Sequence, residues 1–183
     1  MNESILMTVS EFQQTGGHNV VINNLSKEIS KLGYSVTIGA FSFKENPSEG
    51  IDYLKIKKNP LKKNKWQEKF NLIHNHETKL NYYSLYSKKP FIFHYHGVMG
   101  QIQKMNLSIS LKLCQKHISK IISVSDSALK DISKNTKEKI PTLEIYNGVN
   151  NEFFNVKESK DFRKGEQQLI FVGNLTTYKN IEF

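Results

Sequence analysis

Apolar and polar positions along this chain switch repeatedly between two periods, one of strands and one of helices. "SILMTV" (4–9) is a short apolar run, and Thr15-Gly16-Gly17 after it is the punctuation of a strand entering a turn. From His18 onward Val21, Leu25, Ile29 and Leu32 recur at spacings of three and four. This predicts a helix with one buried stripe, stopped by Gly33. "YSVTIGAF" (34–41) predicts a second strand and "GIDYLKI" (50–56) a third, weaker and more exposed. "FNLIHNH" (70–76) and "PFIFHYH" (90–96) predict two more, with a polar helix around 78–87 between them. The segment 102–118 has helical periodicity through Ile102, Met105, Ile109, Leu113 and His117. "KIISVS" (120–125) is a continuous run of the kind buried on both faces of a parallel sheet. Ser125 is placed to cap a helix reaching about Lys134, and "TLEIYNGV" (142–149) is a last strand ending in a turn.

Strands alternating with helices imply a parallel sheet covered on both sides. Right-handed crossovers then make residues 1–154 a doubly wound, Rossmann-like α/β domain. The pattern changes at 155–168, "NVKESKDFRKGEQQ", which is charged and has no apolar stripe, as a linker does. "LIFVGNL" (169–175) opens a new strand, so 169–183 reads as the first strand and turn of a second domain. There is no internal repeat.

Composition narrows the class. Hydrophobic residues at 38% and aromatics at 11% exclude a disordered chain. No apolar run approaches the roughly 20 residues that span a bilayer. The N-terminus lacks the basic region of a secretory signal, and the single cysteine, Cys114, excludes an intramolecular disulfide and a thiolate-rich zinc site. A cytosolic location is expected. The formal net charge of +9 calls for an anionic partner. It is concentrated in "KIKKNPLKKNKWQEKF" (55–70), where seven lysines face one acid, Glu68. That stretch has two readings: a solvated loop, or a patch docking on anionic lipid with Trp66 and Phe70 dipping into the interface. Nucleic acid is not expected, because the lysines are not interleaved with stacking aromatics.

Two features carry candidate chemistry. "TGGHN" (15–19) would offer free backbone amides and the positive end of a helix to an anion, although it is not the dinucleotide fingerprint GxGxxG. The second feature is the pair of His-x-His motifs, His74/His76 and His94/His96, which hold four of the six histidines. Residues i and i+2 of a strand share a face, and both motifs end strands, where open parallel sheets bind their ligands. These histidines are open to three readings: substrate binding and polarisation, a metal site with Glu77 as the one nearby carboxylate, or structural packing.

Taken in order, the glycine pair, "LIHNH", "FHYHG", "IISVSDSALKDI", "IYNGVNNEFF" and "LIFVGNLTTYKN" resemble the N-terminal half of a family 4 glycosyltransferase. That resemblance covers nearly the whole chain. It implies a two-domain GT-B fold and retaining transfer of a hexose from a nucleotide-diphosphate sugar to a hydroxyl of a glycan or lipid-linked acceptor, without a metal or other cofactor. His96 matches the family histidine that contacts the transferred sugar and assists the reaction. Gly17 at the first turn would lie near the donor diphosphate or the reacting centre, and His76 would line the cleft. Gly16, His18 and Gly97 are further substrate- or donor-binding candidates, the chain as a whole holding the acceptor side of the cleft. Lys179 matches a second-domain lysine that neutralises the leaving diphosphate. Asn174 stands where the family has arginine, and Asn150 where it has aspartate. With the cytosolic location expected from composition, the lipid-docking reading of residues 55–70 would place the enzyme peripherally at the inner membrane face. A non-catalytic anion- or glycan-binding domain and a histidine-based metal hydrolase are the alternatives.

Overall fold

In a computed structural model, residues 3–60, 62, 64–97, 100–136 and 140–155 are described. Among them, seven strands form one sheet: β1 (Ser4–Phe12), β2 (Ser35–Phe43), β3 (Asp52–Lys55), β4 (Leu72–Asn75), β5 (Phe91–Tyr95), β6 (Lys120–Ser123) and β7 (Thr142–Glu144). Their order is β3-β2-β1-β4-β5-β6-β7, and every adjacent pair is parallel. The chain winds outward from β1 through β2 to β3, then returns to the opposite side of β1 at β4. The reversal puts the topological switch point between β1 and β4, where the carboxyl ends of the strands frame a crevice.

Three helices accompany the sheet: α1 (Gly17–Lys31), α2 (Gln101–Cys114) and α3 (Asp126–Asn135). Ile22 of α1 joins Ile5, Met7, Val9, Val36, Ile38 and Ala40 in one core cluster. A second cluster joins Ile73, Phe91, Phe93 and Ile121 of the sheet to Leu107 and Leu111 of α2 and Ile132 of α3. Gly33 has a φ of 93° and ends α1 in the left-handed conformation that glycine adopts without strain. Ser125 caps α3 as expected, its hydroxyl accepting from the Ala128 N–H at 3.2 Å.

Four sequence expectations differ from the structure. Of the expected α1 stripe, Leu25 and Ile29 pack partly buried against the core and Leu32 is exposed, while the fully buried positions are Asn19, Ile22, Asn23 and Ser26. Asn23 is buried because its side-chain carbonyl accepts from the backbone and hydroxyl of Ser48, tying α1 to the loop before β3. The segment after β4 is a 3-10 helix (Thr78–Tyr86) burying Leu80, Asn81, Tyr83 and Ser84, not a polar surface helix. In α2 the periodic residues Ile102, Met105, Ile109 and Leu113 are exposed, and the buried row is Leu107, Ser110, Leu111 and Cys114. The second row wins because Ser110 is small enough to meet Asn81, whose amide donates to the serine hydroxyl at 3.4 Å. Finally, Phe70 is buried and Trp66 packs on Tyr83, with ring centroids 5.6 Å apart. Neither ring is presented for insertion into an interface, and the described lysines of 55–70 are exposed.

The first compact unit runs from Met1 to Val149. In the second, Asn151–Asn155 forms a 3-10 turn. The remainder of the expected linker and the expected strand and turn at 169–183, including Asn174 and Lys179, lie outside the described residues. No described helix is long and apolar enough to cross a membrane.

Candidate functional site

The site starts from the way β4 ends. Asn75 points to the face opposite His74 and His76 and sits at the centre of a buried polar network. Its side-chain oxygen accepts from the Thr8 hydroxyl at 3.1 Å and from the Glu77 N–H at 3.1 Å. Its amide donates to the Glu77 carbonyl and to Asn81, both at 2.8 Å. These four bonds fix the exit of β4, and with it His76 and Glu77. Asn75→Ala is therefore expected to destabilise the fold by about 3 kcal/mol, because the Thr8 and Asn81 side chains stay buried without this partner. Chemical denaturation measures it, and a change below about 0.5 kcal/mol would contradict the role.

The four strand-end histidines form a ladder. Nε2 of His74 lies 3.2 Å from Nδ1 of His94, and Nδ1 of His76 lies 3.0 Å from Nε2 of His96. The His74 and His94 rings are nearly parallel, 5° apart, and His94 and His96 stack at 4.5 Å between centroids. Burial is the main reason that all four resist protonation, with neighbouring imidazoles adding repulsion. It holds His74 at about 4, His94 and His96 at about 3, and His76 well below its ordinary range. At neutral pH these side chains are uncharged hydrogen-bonding groups rather than stores of acidic protons.

Beyond the ladder lies a cleft of about 430 Å³, lined among others by His18, His76, Glu77, Lys79, His96 and Gly97. It sits at the expected ends of β1, β4 and β5. His18 and His96 approach to 6.1 Å between ring centroids. Gly97 has a φ of 84°, which lets the chain turn sharply after His96. The structure thus brings His18, His76, His96 and Gly97 together. Gly16 and Gly17 form the turn immediately before His18 and are not part of the lining. A β-carbon on Gly17 would meet nothing within 4 Å, so the amino end of α1 is open to an approaching group, and α1 has no side-chain cap.

Sequence reasoning weighed Glu77 only as a metal ligand. Burial would raise its pKa, but the close His18 imidazole, hydrogen bonds from Ser10 and the nearby Lys79 ammonium outweigh that and hold it at about 2. The Ser10 N–H donates to it at 3.1 Å and the Ser10 hydroxyl donates to its other oxygen. Nε2 of His18 stands 3.5 Å away and Nζ of Lys79 3.4 Å away. This fixed anion at the carboxyl end of β1 orients His18 toward the cleft. Gln103 and Asn106 of α2 also line the cleft and had escaped notice. The readable signal was the run "HNHE": a polar residue between two strand-end histidines and a carboxylate directly after them.

His74, His76 and His94 each offer a nitrogen within 4.8 Å of the others, so the ladder is also where a metal ion would find imidazoles. Nε2 of His74 is engaged with Nδ1 of His94 and Nδ1 of His76 with Nε2 of His96, while Nε2 of His76 and of His94 is buried with no partner among the described residues. The trio includes no carboxylate, and tetrahedral zinc at about 2 Å from each nitrogen would need a fourth ligand from outside it.

The sequence model described as Glycosyltransferase Family 4 matches residues 15–153. No curated protein matches the chain significantly. Among solved structures, HepE of Anabaena in complex with UDP superposes with a TM-score of 0.63 at 16% identity, covering 80% of this chain and 44% of HepE. WaaG, a glycosyltransferase involved in lipopolysaccharide biosynthesis, gives 0.59 at 9% identity, with 81% and 46% covered. A sucrose-phosphate synthase fragment from Thermosynechococcus elongatus gives 0.58 at 13% identity, with 83% and 93% covered. The chain spans under half the length of HepE and WaaG.

Proposed function

The chain belongs to glycosyltransferase family 4, and from that premise we propose that it is the acceptor-side part of a retaining enzyme moving a hexose from a nucleotide-diphosphate sugar to a hydroxyl of a glycan or lipid-linked acceptor. Its parallel sheet is that of the Rossmann-like N-terminal half of a GT-B fold. One observation carries the reading: His18, His76, His96 and Gly97 converge on one cleft at the switch point, beside the open amino end of α1. Uncharged imidazoles suit hydroxyls of a sugar, and exposed amides suit a diphosphate. The likeness to HepE holding UDP supports a nucleotide-sugar donor. In this reading His96 contacts the transferred sugar, a second domain opens near residue 169, and Lys179, with Asn174 nearby, meets the leaving diphosphate without a metal. The 55–70 lysines would add a peripheral contact with an anionic inner-membrane face.

The test is a panel of nucleotide-sugars offered to the intact protein, following release of nucleoside diphosphate. One preferred donor is expected. Nucleotide binding without turnover would instead make this a non-catalytic binding domain, and turnover lost with chelators would favour the metal hydrolase. Gly17→Ala sharpens the assay. The added methyl meets no protein atom within 4 Å, so the melting temperature should hold. Where a diphosphate must pack against that backbone, donor KM should rise about tenfold, a loss of 1.4 kcal/mol. An unchanged KM would move the diphosphate away from this turn.

A further inference from the structure

The histidine ladder holds more nitrogen than its own pairings use. β4 and β5 run parallel with His74 beside Ile92 and Asn75 beside Phe93, so His94 comes level with the end of β4. His74, His76 and His94 are 6%, 3% and 5% exposed, and their ring centroids stand 4.3 to 5.3 Å apart. Within the two pairs, His76 and His94 are both engaged through Nδ1. That leaves Nε2 of each buried and without a partner among the described residues. A ring nitrogen shut away from water with nothing to bond is unfavourable, and two of them side by side call for a common occupant. One nitrogen from each of the three rings lies within 4.8 Å of the others. A water has two hydrogens to donate, whereas a metal ion accepts electron pairs from all three.

The donor set selects the ion. Three imidazoles with no oxygen ligand do not suit magnesium or calcium, which take oxygen donors. They do suit zinc, which binds three histidines and leaves its fourth position to water. The surroundings suit it too. An ion on Nε2 of His76 fixes the proton of that ring on Nδ1, where Nε2 of His96 is placed to accept it at 3.0 Å. A metal-bound histidine characteristically gives its other N–H to such a partner. We propose that His74, His76 and His94 form a zinc site, one imidazole nitrogen from each, which pins the end of β4 to β5 below the cleft. The role is structural and separate from the transfer reaction. It can be measured with no sugar present, so its failure would leave the proposed function standing.

The test uses the intact protein, stripped with a chelator, desalted and titrated with zinc chloride against a chromophoric competitor. One zinc per chain is expected, together with a rise in melting temperature, while magnesium chloride should give neither. His94→Gln should bind zinc at least about tenfold more weakly, the scale on which even outer-shell partners act, and lose the thermal rise. Should that variant fold poorly, cobalt(II) reports on the parent alone: an intense visible band of four-coordinate cobalt is expected, and zinc should abolish it. His117 is exposed and outside the ladder, so His117→Gln should bind as the parent does. No zinc bound by the parent overturns the proposal and gives the two nitrogens to water. Equal binding by His94→Gln, or binding lost in His117→Gln, would place the ion elsewhere and overturn it as well. Turnover lost on chelation while the protein stays folded would overturn the structural role.

Discussion

Acidification from pH 7 to pH 5 is expected to remove several kilocalories per mole from the stability of this fold, while stability between pH 7 and 8 stays flat. The cause is the histidine ladder. In the unfolded chain an imidazole takes a proton near pH 6.5, whereas His74 is held to about 4 and His94 and His96 to about 3 by burial. Below pH 6.5 the unfolded state therefore binds protons that the folded state refuses, and stability falls as the pH falls. The loss continues down to the folded values and is complete below them. At pH 5 each imidazole that stays neutral costs about 2 kcal/mol. Two of them already take a large share of the 5–15 kcal/mol that keeps a typical domain folded. Glu77 does not disturb this window. Its depressed pKa of about 2 keeps its contribution intact above roughly pH 4.5 and withdraws it only in stronger acid. Urea midpoints from pH 8 to 4 would show the trend, and His94→Gln should make it shallower by one proton. A midpoint constant from pH 7 to 5 would mean that the ladder is hydrated or already protonated in the native state.

Much of this site was legible because strand ends leave a two-residue signature. His-x-His after an apolar run can point only to one face, and two such runs in succession make neighbouring parallel strands. The glycine pair before His18 marked the third contributor. Pairings across the sheet were not legible. Nothing in "SILMTVS" says that Ser10 will clamp Glu77 from 67 residues away, or that Thr8 will bond Asn75. Helix faces failed for a related reason. α2 contains two apolar rows of similar strength, and periodicity alone cannot decide between them. Ser110 and its neighbour Asn81 decide it, through packing that belongs to tertiary structure. The same holds for Trp66, which a lysine-rich context marks as a surface residue until Tyr83 is seen beneath it.

His96 is the side chain whose loss should cost most in turnover. It lies where the cleft meets the ladder, partly buried, with its Nε2 engaged by Nδ1 of His76. In the proposed function a neutral imidazole there would act by hydrogen bonding to the sugar as charge develops, and removing one such group typically costs about 10²–10³ in kcat. His96→Ala is expected to lose about a hundredfold in kcat/KM. It also leaves the buried His76 unpaired, a cost of about 1–3 kcal/mol, so loss of folding could be mistaken for loss of chemistry. His96→Gln separates the two. A glutamine amide mimics the Nε2 position and keeps a partner for His76, so this variant should melt near the parent yet still lose turnover. His94→Ala provides the converse, disturbing the ladder below the cleft and lowering stability while the folded fraction turns over normally. Because His96 stays neutral down to about pH 3, its own ionisation should leave no break in kcat/KM between pH 6 and 8. Parent-like turnover in His96→Gln would leave the imidazole a structural rung only. A break near pH 6.5 that vanishes in that variant would instead make His96 a proton donor, with an environment wetter than the stacked ladder provides.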